Sequence, residues 1–502
     1  EHLRNLRIIR AECRTTVFRL ETLSLWRKRA YPSVQHAIQE QSKQKIKEVR
    51  HLIDGFGQAT DYTALYRAVV PHNKASKKNR TSLQALPTLY DAQGKATETC
   101  DEANAVFLEH FRANESGQVQ DVRTAVQFIL KEQQQSMHAI ALEEHDFEHI
   151  PAPSRFRREL SRPRRNRAAG TDDLPDEMFE AAAELLTEMY LPLLLKAQIF
   201  SAEPLQWKGG LLARLRKPAH PASTAEGWRA ILISDAIGKK VHRLGRQDLI
   251  PAFETYAPDN QYGARSERGT DMATHTVRVF MAWLTATATS GAVIFADIVA
   301  AFYTMIRALC LPTGPAETRE GLAWAMQKLK FTQEDFHALE AQLHKDSALV
   351  AAQVPPHTAR IATEAHRGTW FILDGVSTVV RTNSGSRPGD PYGDIIFSFL
   401  FSRLYREMQD RLIAEGLVLE LPYQPGSILA TSGAQTQHIF GANFVDDAAL
   451  FVHAPNARQL EGRIAVTAGI MRHTFASHGF QLHFGATKTA AFYLPHGAHA
   501  RE

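Results

Sequence analysis

Two adjacent aspartates, Asp446 and Asp447, interrupt an apolar stretch that reads NFVDDAALFVH over residues 443–453. Neighbouring carboxylates repel each other, and burying an unpaired carboxylate is costly. A turn between two strands is the simpler explanation, because Asp is a common turn residue. A second pair, Asp172–Asp173, shows that the dipeptide alone decides nothing. The surrounding sequence has to distinguish a plain turn from a site that needs both acids.

A third carboxylate, Asp297, lies near the end of the apolar run AVIFADI at residues 292–298, which we read as a buried strand. If the strands at 292–298 and 439–445 are neighbours in one sheet, their ends bring Asp297 and Asp446 together. Hard oxygen ligands favour Mg²⁺, and two such ions about 3.5–4 Å apart hold the attacking and leaving oxygens of an in-line phosphoryl transfer. The sequence therefore predicts a site for two Mg²⁺ ions, with Mn²⁺ as the alternative.

The composition is typical of a globular protein, with 44% hydrophobic and 22% charged residues. No apolar stretch approaches the ~20 residues needed to span a bilayer, and the opening EHLRNLRIIR has no signal-peptide pattern. The three cysteines, Cys13, Cys100 and Cys310, are too far apart in sequence for a disulfide framework or a zinc set. We therefore expect an intracellular protein that does not contact a membrane.

Positive charge is concentrated in two segments, although the net charge of the chain is only +4. Residues 1–80 hold 17 Lys and Arg against 7 Asp and Glu, and residues 151–170 hold seven Arg and one Glu. Such clusters suit a bound polyanion, whereas solvated helix faces explain the N-terminal cluster equally well. We interpret residues 1–150 as a basic helical extension that binds nucleic acid, and the Arg-rich segment 151–167 as a linker or mobile arm.

The local patterns predict an α+β core. Residues 369–382 contain two β-rich runs joined by Asp374–Gly375, which is a strong hairpin signal. Asp390 and Pro391 have the residue types of an N-cap and a first helical position, so a helix is predicted to begin there. The apolar runs on both sides of the paired aspartates predict two strands around a tight turn. Antiparallel hairpins mixed with helices are typical of the α+β class.

Several segments resemble motifs of reverse transcriptases, most closely those of non-LTR retrotransposons. FADIVAAFY, NSGSRPGDPYGDIIFSFLF and NFVDD resemble motifs A, B and C and occur in that order. RNRAAGTDDLPDEMF resembles that family's K-x-x-G-x-D segment, and LLARLRKP with GWRAILISDAIGKKVHR resembles its fingers motifs. NQYGARSERGTDMA resembles the segment before motif A, and GFQLHFGATKTAAFYL resembles motif D running into motif E. The resemblance covers roughly residues 160–495.

This resemblance implies the right-hand fold of polymerases. Residues 151–290 would form the fingers, and residues 291–502 would form the palm, with an antiparallel sheet packed on helices and motifs A to E. The basic extension at residues 1–150 would precede them. The chain ends 14 residues after Lys488, so we expect the thumb to be absent or truncated.

The resemblance also implies the catalytic residues. Asp297, Asp446 and Asp447 would be catalytic and would hold the metal ions together with the backbone carbonyl of Ile298, Asp447 having a supporting place at the turn. Lys488 would be the motif D lysine, a proton donor to the pyrophosphate leaving group. The implied reaction is nucleotidyl transfer from a dNTP to a primer 3′-OH, assisted by two Mg²⁺ ions.

Nucleotide contacts are implied for five residues, namely Lys217, Arg229, Phe302, Arg387 and Gly389. Lys217 and Arg229 match the fingers cations that hold the triphosphate, a task that suits charge-assisted hydrogen bonds. Phe302 matches the bulky gate that clashes with a ribose 2′-OH, which makes deoxynucleotides the expected substrates. Outside this context Phe302 would be an ordinary core residue on a strand-to-helix turn.

One departure from the family pattern leaves alternatives open. The usual G-x-x-Q-G of motif B has Pro388 in place of its Gln. Together with the expected lack of a thumb, Pro388 leaves open a catalytically inactive, retroelement-derived nucleic-acid-binding protein, although the three retained acids argue against it. An RNA-dependent RNA polymerase is the second alternative, although it would normally carry a smaller polar residue where Phe302 stands.

The partners expected from the resemblance are an RNA template, a DNA primer or nicked target DNA, and dNTPs. The arginine run at 155–167 suggests RNA contact, nuclear entry or both, so a nuclear location is a hypothesis. The sequence does not predict the oligomeric state.

Overall fold

The computed structural model of this chain describes residues 88–137, 148–164, 167–174, 176–217, 220–329, 331–423, 435–484 and 488–496, together with residues 40 and 500. Much of the predicted N-terminal extension, at 1–39, 41–87 and 138–147, lies outside the described residues, as do Arg165 and Gly485. The chain divides into two compact units, one of residues 1–103 with 188–192 and one of residues 104–187 with 193–502.

The helices of the described residues are, in chain order, α1 (Cys100–Asn114), α2 (Val122–Met137), α3 (Pro153–Leu160), α4 (Asp176–Ala181), α5 (Ala183–Phe200), α6 (Ala236–Tyr256), α7 (Thr270–Ala286), α8 (Ala301–Thr304), α9 (Arg307–Cys310), α10 (Pro315–Lys328), α11 (Gln333–Leu343), α12 (Ala348–Ala351), α13 (Pro356–Ala365), α14 (Gly393–Ala414) and α15 (Ala457–Ser477). The strands are β1 (Gln118–Gln120), β2 (Gly209–Arg216), β3 (Trp228–Ile233), β4 (Ser290–Ala296), β5 (Thr369–Leu373), β6 (Val379–Thr382), β7 (Leu419–Tyr423), β8 (Gln435–Ile439), β9 (Gly441–Phe444), β10 (Asp447–Ala454) and β11 (Ala490–Leu494).

In the first unit, the described residues before α1 form a short turn. Asp91 accepts hydrogen bonds from the backbone N–H groups of Gln93 and Lys95, at 2.9 and 2.8 Å. The carboxylate of Glu102 accepts a hydrogen bond from the backbone N–H of Glu98 at 2.7 Å. Such bonds stabilise the charged form of the acid, and they lower the pKa of Glu102.

Four strands of the second unit form an antiparallel sheet in the order β11-β4-β10-β9. Every residue of β4 except Phe295 is buried, as expected for an apolar run. The predicted pairing of 292–298 with 439–445 is wrong in one respect, because β4 pairs with β10, Ala296 lying opposite Ala448. Both predicted strands are in this sheet, but they run in the same direction, and the antiparallel β10 lies between them.

Helix α14 forms the centre of the main hydrophobic core. Its buried residues lie on all sides of the helix rather than on one stripe, which is the pattern of a helix enclosed by other elements. Phe397 stacks on Phe401 and Phe401 on Tyr405, with ring centroids 5.5 and 5.7 Å apart, because residues four apart share a helix face. This rigid core supports the sheet that carries the paired aspartates.

A second sheet of five strands has the order β1-β6-β5-β2-β3. Its β5–β6 hairpin is antiparallel and confirms the prediction made from Asp374–Gly375, with Gly375 in the left-handed region at a φ of 83°. β5 also pairs in parallel with β2. This sheet therefore joins strands on both sides of the domain boundary predicted at residue 290. Helices and largely antiparallel sheets confirm the α+β class.

Nearly half of the Arg-rich segment is a packed helix rather than a linker, which corrects the expectation for that part of residues 151–167. Residues Pro153–Leu160 form α3, with Phe156 and Leu160 buried. The buried ammonium group of Lys240 donates hydrogen bonds to the carbonyls of Glu159 and Leu160, at 3.2 and 3.3 Å. These contacts hold α3 against α6.

The start of α14 also differs from the prediction. Helix α14 begins at Gly393 with Tyr392 as its N-cap, rather than at Asp390–Pro391. Asp390 is buried, and its carboxylate lies 2.7 Å from Nδ1 of His242, whose Nε2 is 3.0 Å from Glu203. The Asp390 side chain therefore forms a tertiary ion pair instead of the N-cap that the local sequence predicts. No helix among the described residues has both the length and the apolar character needed to cross a membrane.

Candidate active site

The β9–β10 hairpin presents the paired aspartates at its turn. Val445 precedes them with a φ of 62°, a left-handed conformation that is strained for a β-branched residue. A Cβ atom on Gly263 would lie only 2.4 Å from the Val445 nitrogen, so this glycine is needed for the close approach of its loop. The strained turn and the glycine together fix where Asp446 and Asp447 stand.

The same loop holds β9 through hydrogen bonds that sequence reasoning missed. The backbone N–H of Tyr262 donates to the Asn443 carbonyl at 2.8 Å, and the Asn443 N–H donates to the Asn260 carbonyl at 2.9 Å. The buried side chain of Asn443 also donates a hydrogen bond to Gln261. The sequence signal for these contacts is the segment NQYG at residues 260–263.

Asp297 is brought to the aspartate turn by the register of the sheet. Ala296 lies opposite Ala448, so the next residue, Asp297, comes next to Asp447, the first residue of β10. The backbone of Asp297 is held on its other side, where its N–H donates to the Thr489 hydroxyl at 3.1 Å and its carbonyl accepts from the His483 N–H at 2.8 Å. The structure therefore groups the three predicted acids.

The electrostatics show that these acids are poorly neutralised. Burial, the charge of Asp447 and that of Asp297 raise the pKa of Asp446. Burial and the charge of Asp297 raise the pKa of the more exposed Asp447. Within the described residues neither Asp446 nor Asp447 forms a salt bridge. Asp297 differs, because its Oδ2 lies 3.4 Å from the Lys488 ammonium group and 3.6 Å from Nδ1 of His483.

The donor set fits Mg²⁺. Carboxylate oxygens are hard ligands, and Mg²⁺ commonly takes only one or two carboxylates, with water and substrate phosphates completing its shell. The Ile298 carbonyl, another predicted ligand, accepts no backbone hydrogen bond within the described residues. In that part of the chain, no group of three or more His, Cys, Asp or Glu side chains could hold a metal ion by itself. Substrate phosphates would have to complete such a site, and the cation would compete with Lys488 for Asp297.

Two of the predicted nucleotide-binding cations lie near these acids. Arg229 is exposed on β3, and its positive charge lowers the pKa of Asp446, in opposition to burial. Lys217 follows β2 and donates a hydrogen bond to the Glu226 carbonyl at 2.8 Å. Burial and the charges of Arg229 and Lys488 lower the pKa of Lys217. Lys217, Arg229 and Lys488 therefore lie close enough to the carboxylates for their charges to interact.

Phe302 lies on α8, shortly after Asp297, and its ring stacks on Phe397 with centroids 4.6 Å apart. The side chain is half-buried. The ring therefore contributes to the core. Its exposed part would be the part that contacts the sugar of a nucleotide. Its role toward a sugar stays a prediction.

Arg387 corrects the prediction for the nucleotide site, whereas the contact predicted for the exposed Gly389 stays a prediction. Arg387 is only 3% exposed, and its guanidinium donates hydrogen bonds to the carbonyls of Ala365 and Trp207, at 2.6 and 3.2 Å. A Cβ atom on Gly389, which has a φ of 107°, would lie 2.5 Å from the Leu232 carbonyl. Arg387 is enclosed by protein and is wrong as a nucleotide contact. Gly389 allows its loop to approach β3.

No protein-family model matches this chain, and a search of curated proteins found no significant match. The features of this chain that bear on its function are therefore the acids, the cations around them and the sheet that carries the acids.

Proposed function

We propose that this chain is an RNA-directed DNA polymerase of the reverse-transcriptase type, built on polymerase fingers and palm. The observation that carries the proposal is the grouping of Asp297, Asp446 and Asp447 at one end of a sheet, with Lys217 and Arg229 close by. Three neighbouring carboxylates, of which Asp446 and Asp447 form no salt bridge within the described residues, suit a metal-assisted phosphoryl transfer. The order of the motifs supports a nucleotidyl transfer rather than another reaction of phosphate esters.

In the proposed mechanism the protein acts mainly by positioning and charge neutralisation. Bound Mg²⁺ would supply activation of the primer 3′-OH and neutralisation of charge on the triphosphate. Asp297 and Asp446, with Asp447 beside them, would hold the ions, and Lys217 and Arg229 would orient the triphosphate. The primer 3′-OH gives its proton to solvent water, and its oxygen forms a bond to the α-phosphorus as the bond to the leaving pyrophosphate breaks. The Lys488 ammonium group then donates a proton to the pyrophosphate oxygen.

The contact between Lys488 and Asp297 favours one alternative, a catalytically inactive protein that only binds nucleic acid. A lysine 3.4 Å from a metal-ligand carboxylate can replace a metal ion as its counter-charge. Primer extension on poly(rA)/oligo(dT) with dTTP separates the two functions. The polymerase should extend the primer with Mg²⁺ and stop when EDTA is added. Tight binding of the same duplex without any extension would contradict the proposal.

Phe302→Ala is expected to relax sugar selectivity, because the side chain that would clash with a ribose 2′-OH is removed. Steric selection of this kind changes a substrate ratio by about 10–200-fold. The measurement is the ratio of kcat/KM for dTTP and UTP on the same primer–template. An unmodified protein that prefers UTP would identify the RNA-dependent RNA polymerase instead.

Phe336→Ala is the matched control for this prediction. Phe336 is also half-buried and in contact with another phenylalanine, Phe331, at a centroid distance of 5.7 Å. Both variants lose aromatic packing and stability, but only Phe302→Ala should change the dTTP to UTP ratio. An equal change in the two variants would assign Phe302 to the core alone.

A further inference from the structure

A patch of exposed arginines lies on α3 and on the loop that follows it. We call it the arginine patch, and its described members are Arg157, Arg158, Arg162, Arg164 and Arg167. The helix beneath it is anchored by the buried side chains Phe156 and Leu160. Arg157 and Arg158 therefore lie on an anchored helix, and the other three arginines lie in the loop that follows it.

Four acids near the arginine patch already have cationic partners. The four pairs are Glu159–Arg243, Asp176–Lys240, Asp248–Arg155 and Glu184–Arg157, at 3.0, 2.7, 2.5 and 3.5 Å. Only the last of them uses a member of the patch. Within the described residues, the other four patch arginines form no salt bridge.

Two of the patch arginines, Arg164 and Arg167, lie close enough to repel each other. Burial and the positive charges of Arg243 and Arg167 lower the pKa of Arg164, and the charges of Glu159 and Asp176 partly oppose this shift. The loop does contain Asp172 and Asp173, but burial raises the pKa of Asp172, as do the charges of Asp235 and Asp173. Within the described residues, neither Asp172 nor Asp173 forms a salt bridge with an arginine of the patch. A cluster of positive charges with few counter-ions in the protein favours the binding of an external anion.

The patch loop is connected to the element that carries Arg229. The N–H and the hydroxyl of Thr171 both donate to Asp235 Oδ1 at 2.9 Å. Asp235 is the N-cap of α6, which follows β3 and its exposed Arg229. The patch and the cations near the acids therefore belong to one continuous framework.

We propose that the arginine patch binds the single-stranded part of an RNA template before it reaches the carboxylates. Arginine forks match phosphate geometry, and guanidinium planes stack on unpaired bases. The patch lies on a helix of eight residues and an irregular loop, which is a surface for an adaptable single strand rather than a long helix for the groove of a duplex. The choice of template RNA as the ligand rests on the proposed polymerase function.

The test is the affinity of a labelled single-stranded RNA 20-mer, measured by fluorescence anisotropy in EDTA and without dNTPs. Arg158→Gln, Arg162→Gln and Arg164→Gln are combined in one variant. Each phosphate contact to a single strand contributes about 0.7 to the slope of log K against log salt. Losing three contacts should reduce the slope by about 2 and weaken binding about 10²-fold near 0.1 M salt.

The matched control combines Arg123→Gln, Arg319→Gln and Arg458→Gln. These arginines are also exposed and form no salt bridge in the described part of the chain, so the control loses the same charge elsewhere. It should keep both affinity and salt slope. Equal weakening in the two triple variants would overturn the proposal, and so would an equal loss for a duplex DNA of the same length. Because no turnover is measured, an inactive polymerase site would not alter this result.

Discussion

Asp446→Ala should lower the rate of templated primer extension by at least about 10³-fold, because several kcal/mol of charge stabilisation are lost with the metal site. Binding of the RNA should change little, since Asp446 repels rather than attracts phosphate. The protein should also become more stable by about 0.5–1 kcal/mol, as happens when a strained functional site is relieved. Burial and neighbouring acids raise the pKa of this carboxyl group, so its ionised form opposes folding.

Stability provides a readout that does not depend on turnover. A cation that binds only the folded protein stabilises it by mass action, so Mg²⁺ should raise the melting temperature of the unmodified chain. In Asp446→Ala this gain should disappear. Asp410→Ala, at an exposed position on α14, is the control and should preserve both extension and the response to Mg²⁺. If Asp446→Ala lost RNA binding and extension to the same degree, the acids would be structural.

The sequence predicted the elements that local pattern determines. Apolar runs and turn residues indicated the β5–β6 hairpin and the β9–β10 hairpin, and the structure contains both. They also indicated that Asp297 and Asp446 would approach each other. The prediction did not depend on the exact pairing, because β4 and β9 run in the same direction on either side of β10 and therefore end at the same edge of the sheet.

What the sequence could not predict depends on distant residues. Asp390 has the type of an N-cap, but His242, 148 positions earlier, has drawn its carboxylate into a buried pair. Arg387 has the type of a phosphate ligand, but its guanidinium donates hydrogen bonds to carbonyls of Ala365 and Trp207. Local propensity is a weak guide when tertiary partners supply a better set of hydrogen bonds. Both errors fall in the loop that joins the five-stranded sheet to α14.

His242 should make stability depend on pH. It is fully buried between Asp390 and Glu203. Burial alone would lower its pKa, but these two carboxylates raise the pKa of His242 to about 9. Its contribution is therefore complete below about pH 6.5, the unfolded value, and is lost as pH rises through 9. Burial would raise the pKa of Asp390, but the charge of His242 lowers it. The contribution of Asp390 to stability is therefore lost only under acid conditions.

Urea unfolding between pH 6.5 and 9 should accordingly show a decline of up to roughly 3 kcal/mol from this residue. His242→Gln should remove the decline and should cost about 3–5 kcal/mol at pH 6.5, because the buried Glu203 loses its cation and Asp390 keeps only Arg387, 3.5 Å away. His366→Gln is the control. Burial and the charges of Arg307 and Arg387 lower the pKa of His366 to about 3, so this buried histidine is neutral throughout the range and its variant should keep the decline. An unchanged pH dependence in His242→Gln would show that His242 is not charged in the folded protein.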